Sequence, residues 1–114
     1  MKKVITERIL EEIFSPEAPL TDTDIRELAT NPRWIDKDFI DERIKFLERL
    51  QKKGFSRHIA EMALEHADEY TKGISEVMTE KAPELREETI RSIYPEALKI
   101  SEAWATEYVE RMFF

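Results

Sequence analysis

The chain has no cysteine and only two glycines, Gly54 and Gly73, among its 114 residues. Without cysteine there is no disulfide, no thiolate nucleophile and no Cys-based metal site. So few glycines cannot build a phosphate-cradling loop, a dinucleotide fingerprint or the strained turn of a nucleophile elbow. No apolar run is long enough to cross a membrane. The opening stretch MKKVITERILEEIF mixes charge into its apolar pattern and lacks the continuous core of a signal peptide. Sustained alternation and Asn-Gly or Asp-Gly turns are missing, so no strand is expected. There is no internal repeat or low-complexity tract. These absences make a cytoplasmic location the expectation.

What is present is helix. The length suits one domain spanning 1–114. An apolar share of 41% beside a charged share of 38% implies an ordered core under a very polar exterior. The expected fold class is all-α: a compact bundle of five to six helices, with mostly antiparallel neighbours because the connections are short.

Spacing sets the expected elements. Val4–Phe14 carries a broad apolar face and is stopped by Ser15-Pro16. A short helix follows over Asp22–Ala29, capped by Thr21 and anchored by Ile25 and Leu28. Asn31-Pro32 ends it, and Trp34 folds back onto the core. The next helix starts at Lys37 or Asp38, capped by Asp36 or Asp38, and ends at Lys53. Its stripe is Phe39, Ile40, Ile44, Leu47 and Leu50, with Phe46 off-centre. Gly54 closes it as the C′ residue. Ser56 caps a long helix to Met78 with the stripe Ile59, Ala63, Ala67, Tyr70, Ile74, Val77 and Met78. Gly73 falls inside this helix and fits either close packing or a break. Pro83 opens a helix over Glu84–Ile93 with Leu85, Thr89, Ile90 and Ile93 inward. Tyr94-Pro95 then marks a break, and a last helix spans Pro95–Met112.

Charge is distributed unevenly around a net −7. Residues 1–42 hold 11 acidic and 6 basic side chains, residues 43–57 hold 1 and 6, and residues 59–114 hold 13 and 6. A basic turn therefore lies between acidic arms. Arg43, Lys45, Arg49, Lys52, Lys53 and Arg57, with His58, cluster about Gly54. The short Gly-containing turn and the Ser-Arg-His start of the following helix have a helix-turn-helix look. In that reading Arg57 and His58 meet base edges and Lys52 and Lys53 hold phosphates. Against it, the second helix soon turns acidic, and an acidic chain disfavours nucleic acid and anionic lipid.

The histidine helix raises a metal question. His58, Glu61, Glu65 and Glu69 stack on one helix side, with His66 adjoining. A dinuclear carboxylate site needs Glu-x-x-His on two helices and glutamates on two more. Here the order is reversed and no second helix supplies a partner motif. A solvated face with charge pairs is the plainer explanation. The aromatic C-terminus offers Trp104, Tyr108, Met112, Phe113 and Phe114, residue types favoured in interface cores.

The sequence thus reads as a small acidic helical domain acting by protein–protein contact or self-association as a homodimer, without catalytic activity or cofactor and without a membrane role. Its interaction residues are the basic turn and the aromatic C-terminus. One alternative is a nucleic-acid-binding regulator using Arg43, Lys45, Arg49, Lys52, Lys53, Arg57 and His58. The other is a metal protein or enzyme centred on His58, Glu61, Glu65, His66 and Glu69.

Overall fold

The computed structural model describes residues 19–34 and 37–113, the side chain of Phe113 excepted. The helix expected over Val4–Phe14, the Asp36 cap, Phe114 and the side chain of Phe113 lie outside the described residues.

Four α-helices form among the described residues: α1 (Asp22–Thr30), α2 (Ile40–Lys52), α3 (Arg57–Met78) and α4 (Arg86–Phe113). Short 3-10 turns at Lys37–Phe39 and Pro83–Leu85 precede α2 and α4. The all-α class holds, and the only β pairing among these residues is an isolated bridge between Pro19 and Ser56. The helix count differs from expectation: among the described residues four α-helices stand where five were expected, because the two pieces divided at Tyr94-Pro95 are one helix. No helix among the described residues is long and apolar enough to cross a membrane.

The chain falls into two compact units, Met1–Met62 and Ala63–Phe114, with α3 running through the boundary.

In the first unit the element ends follow local chemistry. Thr21 is the N-cap of α1 and forms a capping box: its hydroxyl accepts from the Asp24 amide at 3.1 Å, and the Asp24 carboxylate accepts from the Thr21 amide at 3.0 Å. At the end of α2 the Gly54 amide donates to the Gln51 carbonyl and the Phe55 amide to the Leu50 carbonyl. Gly54 has φ +82, the left-handed value this Schellman closure requires. Phe55 and Leu50, the apolar pair that accompanies the motif, are both buried. Ser56 caps α3, its Oγ accepting from the Ile59 amide at 3.4 Å. The start of α2 differs from expectation. Its N-cap is Phe39, without a side-chain cap bond, and Asp38 sits inside the 3-10 turn.

α1 packs on α2, and the buried face of α2 is turned relative to the expected stripe. Phe39, Arg43, Phe46, Leu47 and Leu50 are buried, whereas Ile40 and Ile44 are only half-buried. An arginine occupies the centre of the face. A polarity-based stripe skips that position, which shifts its apparent phase towards the isoleucines.

In the second unit α3 and α4 run antiparallel, joined through 79–85. Their side chains meet at His66 with Ser101 and at Glu76 with Arg86. The buried side of α3 here is Ala63, Leu64, Ala67, Asp68, Thr71 and Ser75. Tyr70 and Ile74 are half-buried, and Val77 and Met78 are exposed. Hydroxyls have displaced the larger apolar groups, and each satisfies itself on its own helix. Thr71 donates to the Ala67 carbonyl at 2.8 Å, and Ser75 donates to the Lys72 carbonyl at 3.0 Å. Back-bonded in this way, a buried Ser or Thr presents mainly carbon and a small volume to its neighbours. Gly73 is inside continuous helix, and a Cβ built there meets nothing within 4 Å, so close packing does not account for it. The inward face of α4 is Tyr94, Ala97, Leu98, Ser101, Ala105 and Val109. Leu85 is exposed, and Thr89, Ile90 and Ile93 are half-buried rather than inward.

Candidate functional site

The basic turn is held by its own unit. Arg43 is 1% exposed, and its Nε donates to the Ala29 carbonyl at the end of α1 at 2.8 Å. Arg57, in the first turn of α3, is surrounded by carboxylates. Its Nη1 lies 2.9 Å from Asp24 Oδ1 and 2.7 Å from Glu27 Oε2, and its Nε lies 3.0 Å from Glu61 Oε1. Asp24 and Glu27 stand three apart on α1 and so share a side of it. Two arginines assigned to nucleic acid by the basic-turn alternative are therefore engaged with internal partners. Lys45, Arg49, Lys52, Lys53 and His58 remain at the exposed surface.

The charges of this network tune one another. Partial burial pushes the Asp24 carboxyl up, but hydrogen bonds from Thr21 and the Arg57 guanidinium outweigh it and hold the carboxyl below its ordinary 3.8. Arg57 is raised, chiefly by its hydrogen bond to Glu27 and then by Glu61. Since the folded Asp24 pKa lies below the unfolded one, this group contributes stability that is complete above about pH 4 and is lost as pH falls through the folded value. Arg57→Met should therefore lift the Asp24 pKa and move the acid-unfolding midpoint upward. The Arg57 side chain is 41% exposed, so solvent screening limits each pair. Losing the whole network should cost about 1–2 kcal/mol near neutrality. Acid titrations of both proteins by circular dichroism check this, and coincident acid midpoints would count against the network.

The histidine face does not gather into a donor set. Glu61 is paired with Arg57. His66 Nδ1 lies 2.8 Å from the buried Ser101 Oγ, and its ring stacks on Trp104 at 4.6 Å between centroids and 9° between planes. His58, Glu65 and Glu69 are exposed. Among the described residues no group of three or more His, Asp or Glu side chains is placed to hold a metal ion. The adjacent Asp68 is 7% exposed. Its Oδ2 pairs with Lys72 at 3.2 Å while its Oδ1 is buried without a hydrogen-bond partner.

The C-terminal aromatics form a connected surface. Trp104 carries the stack from His66 on to Tyr108, with centroids 5.6 Å apart and planes at 25°. Beyond them lies a shallow cavity of ≈290 Å³ lined by Trp104, Glu107, Tyr108, Arg111 and Met112. Trp104 and Tyr108 are half-buried and Met112 is 39% exposed. Arg111 is tied to Glu107 at 2.6 Å on the rim. The spacing of 104, 108 and 112 made this row visible in the sequence. Ser101 was missed, because a serine one turn before a tryptophan carries no signal of its own. Asp24 and Glu27 were missed because their partner Arg57 is about thirty residues away. No family model, no curated protein and no solved structure matches the chain.

Proposed function

We propose that this chain works by non-catalytic protein–protein contact, through the face of α4 that carries Trp104, Tyr108 and Met112. The observation that supports it most is the stacked His66–Trp104–Tyr108 series opening onto a cavity with an exposed methionine and a charged rim. Stacking on His66 limits the rotamers of Trp104 before any partner arrives, so less side-chain entropy is lost on binding. Aromatic rings, methionine and arginine are the residues that concentrate binding energy at interfaces. The five large apolar side chains most exposed among the described residues, Val77, Met78, Leu85, Ile100 and Met112, all belong to the same unit. A cytoplasmic location belongs to this reading and rests on the absence of cysteine.

Self-association is the first contact to test. Sedimentation equilibrium should show a particle heavier than the 13.6 kDa chain at high concentration. Tyr108→Glu combined with Met112→Glu should return it to monomer mass with helicity unchanged. Affinity capture from the native cell with the same two proteins tests a different partner. A wild-type chain that stays monomeric, with a captured set unaffected by the double substitution, would sink the proposal.

A further inference from the structure

The apolar row that spacing places on α3 is covered only in part. Ala63 and Ala67 are buried, Tyr70 and Ile74 are half-buried, and Val77 is 75% exposed. A second row lies on α4, where Ile93, Ile100 and Trp104 recur at helical spacing. Ile93 and Trp104 are half-buried and Ile100 is 40% exposed. The two rows share one face of the α3–α4 pair. His66 stands one turn before Tyr70, Trp104 stands one turn after Ile100, and the His66–Trp104 stack joins them. Apolar rows on one face of two antiparallel helices are a bed for a third helix.

Carboxylates border both rows. Glu69 and Glu76 come one position before Tyr70 and Val77, on the side away from the buried Thr71. Glu96 and Glu107 come three positions after Ile93 and Trp104, on the outer side of α4. All four are exposed. Glu76, Glu96 and Glu107 each meet a cation, Arg86, Lys99 and Arg111 respectively, but these pairs are solvated and weak. Residues 63–114 hold 12 acidic and 6 basic side chains, so this unit carries −6 of the chain's net −7.

We propose that this face takes an amphipathic helix of a partner protein, with large aliphatic side chains on one side and Lys or Arg flanking them. The proposal rests on the reading of protein contact above and names the partner's chemistry. The aliphatic side covers Ile74, Val77 and Ile100, and the flanking cations meet the four bordering carboxylates. Apolar burial holds such a complex, and charge selects it over an acidic helix. A second copy offers the same carboxylates and does not complement them.

The test is nitrogen-resolved NMR and calorimetry on the full chain, which has two tryptophans. Trp104→Phe identifies the Trp104 indole signal. The probe is a peptide of about 18 leucines and lysines patterned at the helical period. It should move the Trp104 signal saturably, leave Trp34 in place, and bind more weakly as salt rises. The same pattern with glutamate for lysine, and a Leu/Lys peptide of scrambled order, should each bind at least about tenfold more weakly. Val77→Gln with Ile100→Gln alters two exposed side chains without adding charge and should weaken the patterned peptide by about tenfold or more. An unmoved Trp104 signal, equal binding of the acidic or scrambled peptide, or wild-type affinity in the double variant would each overturn the assignment. So would self-association that the double variant abolishes in a chain that ignores the peptide, since the face would then belong to a second copy. Failure of the α4 contact reads out separately, in the protein carrying Tyr108→Glu and Met112→Glu.

Discussion

Replacing Pro95 by alanine is expected to stabilise the chain by about 2–3 kcal/mol, raising the thermal midpoint on the order of 10 °C. The expectation follows from α4 running without interruption from Arg86 to Phe113 with Pro95 inside it. A proline within a helix lacks the amide that would bond four residues back, and its ring crowds that carbonyl. Here the helix continues regardless, because Tyr94, Ala97 and Leu98 on either side of the proline are buried on one face. Ending the helix at Tyr94 would give up that burial, which outweighs the proline's local cost. Pro95 itself is only half-buried, so its ring contributes modest packing. Gly73→Ala sets a smaller scale. It also removes a poor helix former from a continuous helix, into open space, and should add about 1 kcal/mol. Thermal and urea unfolding followed by far-UV circular dichroism compares the two. A Pro95→Ala protein no more stable than wild type would show that the ring is needed where it sits.

Arg43→Ala should have the opposite effect, a loss of about 3–5 kcal/mol. The substitution removes a large, fully buried side chain from between Phe39 and Phe46 and leaves a cavity. It also takes away the donor that meets the Ala29 carbonyl across the α1–α2 contact. Arg43→Met separates the two contributions. Methionine refills most of the volume, as the aliphatic stem of arginine does, but leaves the carbonyl unmet, so a loss of about 1–3 kcal/mol is expected. Arg43→Lys restores charge without the planar fork and should not recover full stability. Urea midpoints for the three variants give the order. An alanine variant within about 1 kcal/mol of wild type would mean that Arg43 is a passenger in the face rather than its centre.

The same residue shows where sequence reasoning loses its hold. Arg43 was legible as part of a basic cluster, and a cluster of cations reads as surface. Its position three residues before Phe46 and seven before Leu50 is also the position of a core residue. Charge and periodicity disagreed, and only the proximity of the Ala29 carbonyl decides for periodicity. The candidate sites divide similarly. The Trp104–Tyr108–Met112 row is a matter of helical spacing and was visible. Its fixation by His66 and Ser101 was not, nor was the capture of Arg57 by Asp24 and Glu27.

By itself the sequence determined what depends on neighbours a few residues away. Thr21 and Ser56 cap because their hydroxyls reach amides three residues on, and Gly54 turns the chain because it alone tolerates the required φ. The all-helical class follows from the same short-range periodicity. Tertiary structure decided whatever sets local preference against burial: helix through Pro95, an arginine and hydroxyls on buried faces, two histidines with different surroundings. Those outcomes depend on burial and on partners beyond the local stretch, such as Ala29 for Arg43 and Ser101 for His66, and the energy of meeting them exceeds the local preference it overrides.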